Sequence, residues 1–144
     1  MHASMSNIGA YLKTAGASNA VQGYSPAAVA AGTTYGDAFD VTGARSCVLT
    51  GMLGSATGAP TTQSVALSLE SALPTGSTWV AVANSTFTLD TDETAKEVDV
   101  NLMALTSGHT RLRVKAVVAF TDGTTPKALV GATVALGGYD NLPV

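Results

Sequence analysis

Charge is scarce in this chain. Lys, Arg, Asp and Glu together make up 12% of its 144 residues, against roughly 25% in an ordinary soluble domain. Cysteine and tryptophan occur once each and histidine twice. A single cysteine, Cys47, admits no intrachain disulfide and no cysteine-rich metal site. No run of about 20 apolar residues exists, which excludes a membrane-spanning helix. Seven basic residues spread along a chain of net charge −3 do not form the concentrated basic field that displaces counterions from nucleic acid. The first residues lack the charged lead and apolar stretch of a secretory signal, so the expectation is a protein made in a cytoplasm without export.

What is present is small and polar. With 46% hydrophobic residues the chain can fill one core, and its length suits one domain. The outside must then be built mostly from Ser, Thr, Ala, Gly and Asn. Such a surface is weakly solvated and suits being covered by neighbours. It points to a subunit of an assembly more than to a free enzyme.

The first 36 residues hold one cation, Lys13, and abundant Ala, Gly, Ser and Asn before the charge at Asp37. Ile8, Tyr11 and Leu12 have the spacing of one helical face, so Asn7 to Lys13 is expected to form a short helical turn. Gly16 to Thr34 has little periodicity and reads as an arm ordered against a partner. The domain division expected is therefore an N-terminal arm over residues 1–32 and a β-domain over 33–144.

From Thr33 the pattern turns to alternation. Thr34 to Val41 places Tyr35, Asp37, Phe39 and Val41 on one face, and Ser46 to Leu53 reads as a central strand. Ser64 to Glu70 points Val65, Leu67 and Leu69 inward. Trp79–Val82, Ser85–Leu89 and Glu97–Leu102 follow as short strands. Arg111 to Phe120 is the clearest strand: Leu112, Val114, Ala116, Val118 and Phe120 share one face, while Arg111, Arg113 and Lys115 begin the other. That second face ends in Val117 and Ala119, so it is expected to be wet at one end and covered at the other. Asp122-Gly123 marks a turn, and Ala128 to Leu136 is the last strand. About eight short strands with turns every 8–14 residues indicate an all-β, antiparallel sandwich or barrel.

Few residues suggest chemistry. His109 lies in a turn with no nucleophile or carboxylate at a telling spacing and reads as a solvated loop residue. Cys47 reads as a small buried hydrophobe, with Arg45 two residues away leaving a reactive thiol open. Asp90, Asp92, Glu93, Glu97 and Asp99 read as a polar loop, or as a cation site that fails the EF-hand pattern. They could also meet Arg111, Arg113 and Lys115, on an adjacent strand or on a neighbouring subunit. Trp79 has no second aromatic at matching spacing, so a core or inter-sheet packing role is expected over a sugar platform. No phosphate loop, dinucleotide fingerprint or nucleophile elbow is present.

Two stretches carry a resemblance: Leu73-Pro-Thr-Gly-Ser-Thr-Trp-Val-Ala-Val82 with Ser85-Thr-Phe-Thr-Leu89, and Thr110-Arg-Leu-Arg-Val-Lys-Ala-Val117. Their texture, over roughly residues 60 to 136, resembles the capsid decoration (cement) proteins of tailed bacteriophages. The opening Asn7-Ile-Gly-Ala-Tyr-Leu12 also suits a virion protein's arm. The resemblance implies a jelly roll without catalytic residues or cofactors, bound to the outside of the head. It implies the major capsid protein and further copies of itself, as dimer or trimer, as partners, with no nucleic acid and no membrane. The residues expected to meet partners are Ile8, Tyr11, Leu12 and Tyr24 in the arm, with Arg111 and Arg113 in the sandwich. Tail-tube subunits share some of this texture; another virion part such as a fibre-base subunit, and less so a carbohydrate-binding module, are the alternative classes.

Overall fold

In a computed structural model, the backbone is described for residues 13–15 and 24–139, with side chains from 27 to 139. The strands are β1 (Lys13–Ala15), β2 (Tyr24–Val29), β3 (Gly32–Tyr35), β4 (Phe39–Asp40), β5 (Ser46–Leu53), β6 (Thr62–Ala72), β7 (Val80–Ala81), β8 (Phe87–Leu89), β9 (Thr94–Asn101), β10 (Arg111–Thr121) and β11 (Ala128–Gly137). One 3-10 turn, Leu102–Ala104, is capped by the Asn101 side chain, which accepts from the Met103 N–H at 2.9 Å.

The strands form two antiparallel sheets. The first runs β1-β11-β5-β9, with β2 also on β11; the second runs β3-β10-β6-β7, with β4 on β10 and β8 on β6. β1 and β2 share one edge of β11, β3 and β4 share one edge of β10, and β7 and β8 share one edge of β6. Eight strand positions result. The chain steps between the sheets from β2 to β3, β4 to β5, β5 to β6, β8 to β9, β9 to β10 and β10 to β11, which is the wiring of a jelly roll.

The core lies where the sheets face each other. Leu49, Val65, Leu67, Leu69, Leu112, Val114, Ala116 and Val134 have no exposed surface, and each comes from the inward phase of an alternating strand. Gly51 of β5 shows how closely the sheets approach: a Cβ there would meet Leu67 of β6 and stand 2.9 Å from the Phe87 ring. At one end, the Gly58 and Asp122–Gly123 loops clasp through Thr124 N–H to Gly58 O at 2.8 Å and the Thr57–Lys127 bridge. Gly123, at φ 93°, leaves no room for a Cβ beside the Gly58 carbonyl.

Three expectations change. Residues 24–29, within the stretch that composition assigned to an arm, pair with Ala128–Ala132 of β11, and Gly32 already opens β3. Lys13, expected to close a helical turn, is in β1 opposite Leu136; the rest of that turn lies outside the described residues. The strand expected over 34–41 is broken: the chain leaves the ladder at residues 36–38 and pairs again as β4. Tyr35, opposite Lys115, therefore faces outward while Phe39, opposite Leu112, and Val41 face the core, and the expected single face is not formed.

Candidate partner-binding surface

β10 carries the surface. Its inward face is apolar, and its outward face presents Arg111, Arg113 and Lys115. Register fixes what surrounds them: Arg113 lies opposite Glu70 of β6, and Lys115 opposite both Ser68 and, on the other side, Tyr35 of β3. Glu70 is 8% exposed. Arg113 donates to its Oε2 from Nη2 at 2.6 Å and Nε at 3.0 Å, and Lys115 Nζ lies 3.3 Å from Oε1. The Arg113 guanidinium is stacked between two rings, 3.7 Å from the Tyr35 centroid and 4.3 Å from that of Trp79. Arg111 lies 5.4 Å from the Trp79 centroid and donates to the Pro74 carbonyl at 3.3 Å. Charge-assisted hydrogen bonds and cation–π contacts thus hold one arginine rigidly in the middle of an outer face.

Trp79 is therefore not a core residue. It is half-buried on the outside, and Tyr35 supplies the second aromatic that its own neighbourhood in sequence lacks. Alternation within one strand gives no sign of this pairing, which exists only because β3 and the segment before β7 flank β10 and β6. Val117 is 38% exposed and Ala119 is exposed as well, so the apolar end of this face, expected to be covered, is bare.

Elsewhere the candidate chemistry closes down. His109 is half-buried, and its Nδ1 hydrogen-bonds the Ser71 hydroxyl at 2.9 Å, so it is not the freely solvated loop residue expected. Ser71 is only 2% exposed, so its hydroxyl is enclosed beside the ring. Cys47 is buried, while Arg45 is exposed just before β5. Burial, with a smaller contribution from the Asp99 carboxylate, pushes the Cys47 thiol up to about 12. It is an inert thiol.

The five carboxylates of 90–99 are all exposed. Among the described residues no group of three or more His, Cys, Asp or Glu side chains could hold a metal. Asp92 accepts from the buried Gln63 amide. Their expected meeting with the basic strand does not occur within the chain, because β9 pairs with β5 in the first sheet while β10 sits in the second. Arg111 and Arg113 both stand in the aromatic cluster. Ile8, Tyr11 and Leu12 lie outside the described residues, as does the side chain of Tyr24, whose backbone opens β2 opposite Ala132.

No family model and no curated protein matches this chain. Solved structures do. The structure of infectious bursal disease virus, Gx strain, is similar over 92% of this chain at 14% identity and a TM-score of 0.51; the present chain spans about a third (33%) of that viral chain. The SPBc2 prophage-derived protein YomS is similar over 88% of this chain and 93% of its own, at 11% identity and a TM-score of 0.49. The CBM22-2 xylan-binding domain of Paenibacillus barcinonensis Xyn10C covers 92% of this chain and 94% of its own, at 16% identity and a TM-score of 0.47. The likeness is one of fold, and the antiparallel sandwich read from the alternation is borne out.

Proposed function

We propose that the protein is a structural virion subunit, made in a bacterial host, that lies on the outside of a capsid and reinforces the lattice of major capsid protein. One observation carries the reading. In a chain with so few charges, large apolar side chains stand exposed on both sheets and at the loops: Tyr35 (47%), Met52 (50%), Leu73 (48%), Met103 (70%) and Leu129 (51%). Spread over several faces, they suit a small subunit covered on more than one side, where many modest contacts add through multivalency. A jelly roll like that in the viral particle structure is compatible with this role. The role is structural and not catalytic; the closed Ser71–His109 pair supports that part of the reading. Ile8, Tyr11 and Leu12, with Tyr24 at the start of β2, are proposed to dock on a neighbour.

Purified protein added to undecorated heads from the source particle should sediment with them and appear as regular surface density in electron microscopy. A variant lacking residues 1–12, which keeps β1 and β2, should occupy fewer sites. Absence of the protein from the head surface overturns the reading, and density along a tail, or tubes formed by the protein alone, would assign it to the tail.

A carbohydrate-binding role has one observation in its favour, the presence of Tyr35 and Trp79 on one face. A sugar ring stacks on a free aromatic face, however, and here Arg113 fills the space between the rings. Quenching of Trp79 fluorescence by a polysaccharide would revive that alternative.

A further inference from the structure

We propose that the two outer faces of the sandwich bind each other between copies: the arginine–aromatic face of the second sheet in one copy docks on the acidic outer face of the first sheet in the next. The inference deepens the assembly reading above, and it concerns contact between copies, with no shell required.

The charges are sorted by face. On β9, Glu97 and Asp99 are exposed and lie opposite Thr50 and Val48 of β5, which puts them on the outer face of the first sheet. Exposed Glu93, which lines one groove with Met52 and Leu129, extends the acidic patch just before β9, while Asp90 and Asp92 sit beside Thr62 and Gln63 of β6. Lys96, the cation of this strand, is turned to the Thr88 carbonyl at 2.6 Å. On the opposite outer face Arg111, Arg113 and Lys115 outnumber the carboxylates beside them, Glu70 of β6 and Asp40, which lies opposite Arg111 on β4. The two outer faces of a sandwich point away from each other, so these patches cannot satisfy one another within a copy.

Each face also offers apolar surface beside its charge. Tyr35 and Val117 stand on the basic face, Met52 and Leu129 on the acidic one. Arginine, tyrosine and tryptophan are the residue types that anchor interfaces, and Arg113 is already held by Glu70, Tyr35 and Trp79. Little side-chain freedom remains to be lost on docking. Pairing either face with itself would oppose like charges. The contact is therefore between unlike faces, and such a contact closes into a ring or continues as an open chain.

Sedimentation of the full chain without capsids tests this. Wild-type mass should rise with concentration, and association should weaken about tenfold between about 0.05 M and about 0.5 M NaCl as the screening length shortens. Two neutralised variants, Arg111→Gln/Lys115→Gln and Glu97→Gln/Asp99→Asn, should each be monomeric. Mixed at equal concentration they should form a heterodimer that grows no further, since each supplies one intact face. A monomeric wild type at low salt, association indifferent to salt, variants that associate like wild type, or a mixture that stays monomeric overturns the proposal. If a variant fails to melt cooperatively, the wild-type salt series decides alone. Capsid occupancy is read in a separate assay, so loss of this contact and failure of the coat reading are told apart.

Discussion

Glu70 sits at 8% exposure with two cations on it, and a buried carboxylate depends on its partners. The converse holds for Arg113: without Glu70 its guanidinium keeps only ring contacts in a half-buried position. Glu70→Ala should destabilise the protein by about 2 kcal/mol, below the 3–5 kcal/mol of a fully buried pair because Arg113 retains some solvent. Glu70→Gln keeps an acceptor oxygen and should cost about half as much. Urea unfolding measures both, and equal costs would mean that packing and not charge sets the effect. At Cys47 the folded thiol is raised to about 12 from 9.0. Between those values the unfolded chain releases a proton that the folded chain keeps. Stability is thus undiminished below about pH 9 and falls above it, by about 1.4 kcal/mol per pH unit relative to Cys47→Ala. Matching stability–pH curves for the two proteins would contradict this. The sequence showed Arg111 and Arg113 as the outward phase of an alternating strand. It did not show Tyr35 and Trp79 beside them, because that meeting is made by sheet order and no local pattern encodes it.

At the level of elements, legibility followed the contrast between the two sides of a strand. β6 and β10 alternate sharply, and their inward residues were read correctly from that alternation. β1 and β2 were not read as strands, since three residues, Lys-Thr-Ala, and the run Tyr-Ser-Pro-Ala-Ala-Val give little difference between an inner and an outer face and their place is set by pairing with β11. β3 and β4 merged in the reading because the sequence alternates without a break from Thr34 to Val41, whereas residues 36–38 shift the phase so that Tyr35 faces outward and Phe39 inward. β5 was read as a central strand, yet its glycine carries a constraint visible only in three dimensions. Gly51→Ala pushes a methyl into the space of Leu67 and Phe87 between the sheets, and overpacking of this kind costs about 1–3 kcal/mol. Alanine normally stabilises a strand relative to glycine, so a thermal melt that rises in this variant would show that the sheets can part freely at this point.

For the whole molecule the question is what covers the apolar surface. Met52 and Leu129 are half exposed, 50% and 51%, and line one groove of about 380 Å3 across β5 and β11 with Leu53 and Val130 at its base. In an isolated copy such side chains contribute little, since their surface is already in water. Met52→Lys/Leu129→Lys should therefore change stability by no more than about 0.5 kcal/mol per substitution. In an assembly that buries the groove, the same change places two ammonium groups against apolar or cationic neighbours, and desolvating them is costly. Occupancy on capsids, or mass in sedimentation, should then drop by about tenfold or more, since one such mismatch exceeds about 1.4 kcal/mol. A variant as stable as wild type that also assembles as well would show the groove to be open surface. The cover would then have to fall on the remaining exposed large apolar side chains, Tyr35, Leu73, Val80, Met103 and Val117, and the same lysine substitution at each would locate it.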